Sequence, residues 1–87
     1  MVLLGKQLTV VGQVSDKQKE EISWKNQLAV GSRYRPEYKD AGDGNTHILF
    51  QFDNHSNNHA SREADIKKVK EDMTIALTLL GFTVLGK

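Results

Sequence analysis

The side chains best suited to chemistry fall into two groups. Arg33, Tyr34, Arg35, Tyr38 and Lys39 interleave cations with aromatic rings in one short stretch. Guanidinium groups grip phosphates and carboxylates, while tyrosine rings stack on bases or anchor protein interfaces. Glu37, Asp40 and Asp43 stand close by and partly cancel the local field, which weakens the case for a phosphate ligand. The bland alternative is a solvated loop whose tyrosines pack on a sheet edge. The second group is His47, Asp53, His55 and His59. Neutral imidazoles with a carboxylate can ligate zinc or a similar ion. A four-residue interval aligns two histidines only on a shared helix, and His55 precedes the expected helix start. No metal site is assigned.

Catalysis finds little support in the residue types. His47 with Asp53, or His59 with Asp65, can be drawn as acid–base pairs, but nothing in the spacing selects them. No glycine-rich phosphate loop opens a helix, and Gly42 to Asn45 reads as a turn. A cofactor is not expected, and a small metal-dependent hydrolase is the weakest of the functional readings.

The element that must position these groups runs from Ser61 to Gly81. Ile66, Val69, Met73, Ala76 and Leu80 recur at steps of three and four, which places them on one side of a helix. Ser61 reads as the N-cap, and Glu63 and Asp65 suit the positive end of the helix dipole. Lys67, Lys68 and Lys70 alternate with acids and read as a solvated face. Gly81 can close the helix in a left-handed conformation, with Phe82 packing back on the last turn. Ile75, Leu77 and Leu79 add apolar surface off the main stripe, so the second half is apolar nearly all round. Internal burial by the sheet is the first explanation, and a second chain is the other.

Strands are expected before this helix. Residues 6–14 carry Leu8, Val10, Val11 and Val14, with Val2 to Leu4 as a possible extension and Gly5 as a bulge or bend. Ile22, Trp24, Leu28 and Val30 alternate with polar residues and predict a second, antiparallel strand, in which only Asn26 falls out of place on the inner face. Gly31 to Asn45 predicts a long loop broken by Pro36 and closed by a tight turn. Thr46 to Asp53 predicts a third strand with Ile48, Phe50 and Phe52 inward, and Phe82 to Leu85 a short last one. The fold class expected is α+β: a three-stranded antiparallel meander packed on one long C-terminal helix, with a short final strand. A right-handed crossover would set that final strand parallel to the third.

With 87 residues, 38% hydrophobic and 26% charged, the chain reads as a single domain over residues 1–87 with a small core. The net charge of +1 hides an asymmetry: residues 1–39 hold seven Lys/Arg against four Asp/Glu (+3), and residues 40–87 five against seven (−2). Cysteine is absent, which excludes disulfides and thiolate zinc sites and agrees with a cytoplasmic setting. No apolar run is long enough for a signal peptide or a bilayer span. No residue pattern here identifies a family. The function expected from these features is non-catalytic binding, of adaptor or inhibitor type, through the loop at 32–39 and a protein partner. Small phage or accessory-element proteins have this general look. The alternative is a single-stranded nucleic-acid-binding module using the same loop. A homodimer through a strand edge or the apolar end of the helix is also plausible for so small a core.

Overall fold

A computed structural model describes residues 2–30, 34–54 and 58–85. The elements run β1 (Val2–Val10), α1 (Asp16–Val30), β2 (Glu37–Gly42), β3 (Asn45–Asn54), α2 (His59–Leu79) and β4 (Val84–Leu85). The strands form one antiparallel sheet in the order β2-β3-β1-β4. The α+β class, the antiparallel sheet, the long C-terminal helix and the short last strand are therefore as expected. β4 lies on the outer edge of β1 and runs parallel in direction to β3, with β1 between them. Each helix thus links two like-directed strands that have a third strand inserted between them. Two such split β-α-β units interleaved make the ferredoxin-like topology.

Between residues 16 and 42 the structure differs from the strand and loop expected there. The stretch expected as a second strand is helix α1, the strand that follows β1 in the chain is instead β2, inside the expected loop, and the spatial order is not that of a simple meander. A capping box starts α1: the Ser15 hydroxyl accepts from the Gln18 N–H at 3.2 Å, and the Gln18 side chain accepts from the Ser15 N–H at 2.8 Å. Within the helix Ile22 and Asn26, four residues apart, are both fully buried, whereas Trp24 and Leu28 point to solvent. Asn26 is misplaced only in a strand. In the helix it shares the inner face with Ile22.

β2 forms because β3 recruits it. The two-residue loop Asp43–Gly44 has positive φ at both positions (55° and 79°), the type I′ geometry that matches the twist of a hairpin. β3 alternates as expected, with Ile48, Phe50 and Phe52 buried. β1 begins earlier than 6–14 and ends at Val10, where Gly12 turns the chain at φ 86°. Its pairing with β3 runs without a register shift through Gly5, so Gly5 is neither bulge nor bend. A Cβ there would stand 3.2 Å from Leu49 Cδ1 on the facing strand.

α2 starts slightly before the expected position. Asn58, not Ser61, is the N-cap, and its side chain accepts from the Ala60 N–H at 2.9 Å. The C-terminus is a Schellman ending, with Gly81 N–H on the Thr78 carbonyl, Phe82 N–H on that of Leu77, and φ 96° at Gly81. Val69, Met73, Ala76 and Leu77 join Leu8, Val10, Ile22, Ile48, Phe50, Phe52 and Phe82 in one core, flanked by Ile66 and Leu80. Of the apolar residues off the main stripe, Leu77 is internal while Ile75 and Leu79 are exposed. Both helices cover one face of the sheet, leaving Leu3, Gln7, Thr9, Lys39, His47 and Leu49 on the other.

Candidate interaction surface

The loop before β2 is tied down from three sides. Asn26 Nδ2 donates to the Tyr34 carbonyl at 3.2 Å, the Tyr34 hydroxyl donates to Asp53 Oδ1 at 3.0 Å, and Pro36 is buried. Tyr38, the first residue of β2 on the helix side, donates its hydroxyl to the Lys19 carbonyl at 3.4 Å. Lys19 Nζ stands 5.1 Å from the centre of the same ring. Both tyrosines therefore spend their hydroxyls inside the fold.

Of the five residues singled out from sequence, the four that are described do not form one patch. Arg33 lies outside the described residues. Tyr34 and Tyr38 are half-buried, and Lys39 projects from the opposite face of β2, beside His47. Arg35 projects outward with a side chain 77% exposed, and its Nη1 sits 3.3 Å from Glu20 Oε1 on α1. Such an exposed pair contributes about 0–1 kcal/mol, so the guanidinium is readily redirected to another carboxylate.

The partner of Arg35 on α1 leads to two apolar residues expected on the inner face of a strand. Glu20, Trp24 and Leu28 follow at steps of four along α1, so the ion pair sits at one end of an apolar stripe. Trp24 is 60% exposed and Leu28 65%. Beside the stripe, Lys19, Glu20 and Ser23 of α1 and Arg35, Pro36 and Tyr38 line a shallow cavity of about 240 Å³. The signal that finds Trp24 and Leu28 is the Ser15–Gln18 capping box. Once a helix begins there, burying Ile22 turns Trp24 outward.

The phenol of Tyr38 is pushed up to about 12 from 10.0, chiefly by burial and secondarily by the Glu20 carboxylate. The fold thus favours the protonated phenol. That contribution is complete below about pH 10, the unfolded value, and is lost as pH rises through about 12. An absorbance titration of tyrosinate is expected to show one late step, absent in Tyr38→Phe. A Tyr38 step at the ordinary value would show that the ring is not held against α1.

On the open face, the Thr9 hydroxyl and His47 Nδ1 lie 2.7 Å apart. Gln7, Glu37, Lys39, His47 and Leu49 surround a wide depression of about 480 Å³ there. Tyr38 also borders it, and it combines one cation, Lys39, with one carboxylate, Glu37. His55 lies outside the described residues, and only the backbone of His59 is described. Among the described residues no three His, Cys, Asp or Glu side chains gather as metal ligands, and no helix is long and apolar enough to cross a membrane. The chain matches no family model, no curated protein and no solved structure.

Proposed function

We propose that this chain is a small binding protein of adaptor or inhibitor type, and that it docks on a protein partner through Arg35 of the 32–39 loop together with Trp24 and Leu28 of α1. The observation that supports this most is an indole left in solvent one helical turn along α1 from Glu20, the residue that an outward guanidinium pairs with. Trp and Arg are the residue types that most often dominate interface energies, and a large ring with few rotors loses little entropy when it docks. The residues named from sequence keep divided roles in this reading: Tyr34 and Tyr38 brace the loop, Arg35 reaches the partner, and Lys39 serves the far side of the sheet. A cytoplasmic setting belongs to the same proposal, given a chain without cysteine.

Affinity capture with the wild type and with a Trp24→Ala, Arg35→Ala double variant tests it. Loss of a specific partner by at least about tenfold is expected, because truncating a hot-spot pair typically costs 2 kcal/mol or more. Equal recovery would sink the surface. A panel of single-stranded oligonucleotides across a salt series separates the rival reading, since phosphate contacts make affinity fall steeply with salt.

A further inference from the structure

The two edges of the sheet are built differently. At one edge, β2 is six residues long, carries Glu37, Lys39 and Asp40, and is broken by an irregularity between Asp40 and Gly42. Short length, charge and a bulge are the usual devices that stop an edge from pairing with another chain. At the other edge β4 is two residues long and covers only Thr9 and Val10 of the nine-residue β1. The Val11 N–H also bonds the Thr83 carbonyl at 2.9 Å, so the odd-numbered residues of β1 turn their N–H and C=O toward the β4 side. Leu3, Gly5 and Gln7 do the same, and among the described residues no strand lies beside them. This edge has no proline, no register shift and one ionisable residue, Lys6.

We propose that β1 pairs with β1 of a second copy of this chain, antiparallel about Gly5, to make one continuous sheet across a two-fold axis. Among the described residues the uncovered run is Val2–Leu8, centred on Gly5, so pairing about that residue uses all of it and stops at the described end of β4. Leu3 then faces Gln7 of the other copy, and each outward N–H meets an outward C=O. Lys6 falls opposite Leu4 and not opposite itself, so the only charge on the strand meets no like charge in the ladder. At the end of the run, Val2 of the second copy falls opposite Leu8. Leu8, Thr74, Ile75, Val84 and Leu85, together with Lys70 and Glu71, border a mainly apolar cavity of about 370 Å³ at that point, between α2 and the sheet edge. The end of the paired strand comes up beside this opening. The contact is isologous, as a two-fold axis demands.

Light scattering on the full chain over a concentration series is expected to show a dimer. Amide exchange should then find the N–H groups of Leu3, Gly5 and Gln7 protected in proportion to dimer content, whereas those of Leu4, Lys6 and Leu8, bonded to β3, are protected throughout. Gln7→Pro removes an outward N–H without touching the β3 ladder and is expected to weaken the dimer about tenfold or more. If that variant fails to fold, the exchange pattern of the wild type decides. A monomer at millimolar concentration overturns the proposal. So does a dimer in which Leu3, Gly5 and Gln7 exchange freely, or protection of those amides only when a different chain is added.

Discussion

Ile22→Ala is expected to lower the unfolding free energy by about 2–5 kcal/mol, while Trp24→Ala changes it by no more than about 0.5 kcal/mol. The two residues are neighbours but for one serine, and in a strand both would face the core and both would cost. In α1 they lie on opposite sides. Ile22 is fully buried among the sheet and α2 residues, and its loss leaves a cavity that the packed core only partly fills. Trp24 keeps most of its surface in water, so truncation removes little burial. A domain of this size holds roughly 0.05–0.15 kcal/mol of stability per residue, so Ile22→Ala consumes a large share of the total. Urea unfolding of both variants checks this. Two equally large losses would mean that residues 22–30 pair as a strand. The indifference of stability to Trp24 also makes Trp24→Ala a clean probe of binding.

The same pair explains what could and could not be read from sequence. α2 was legible because it spans the molecule, and five of its apolar residues repeat at helical spacing over a closing glycine. β3 was legible because it lies between two strands with one face wholly buried, which forces strict alternation. α1 was not, because it rests at the margin of the core and, among its described side chains, buries one large apolar one, Ile22. Its hydrophobic residues are spread around the helix, and four of them happen to sit at even positions, which imitates a strand. β2 was missed for a related reason: Glu-Tyr-Lys-Asp-Ala-Gly has little strand preference of its own and is held as an edge by the turn at Asp43–Gly44. The candidate surface inherited that error. Arg35 could be picked out by type, but Trp24 and Leu28 become surface residues only when the helix is known.

Asn26 carries the second large effect. Its side chain is fully buried, its Nδ2 holds the Tyr34 carbonyl, and its Oδ1 has no partner among the described residues. Asn26→Asp keeps the shape and replaces the donor with a carboxylate oxygen facing that carbonyl. Burying an unpaired charge is expected to cost about 3–5 kcal/mol at neutral pH, enough to unfold much of the population. Burial raises the introduced carboxyl above its unfolded value of about 3.9, so the native state of the variant binds more protons than the unfolded one above that pH. Its stability should therefore recover as the pH is lowered toward the unfolded value and fall away as the pH rises. Asn26→Leu tests the other half of the argument. It removes the orphaned Oδ1 along with the donor, so its loss should be smaller and independent of pH, with Tyr34 and the loop before β2 loosened from α1. The comparison is made by urea unfolding of both variants at mildly acidic and neutral pH. A carboxylate variant as stable as the wild type at neutral pH would mean that water reaches the inner face of α1, and that the loop bearing Arg35 is not anchored there.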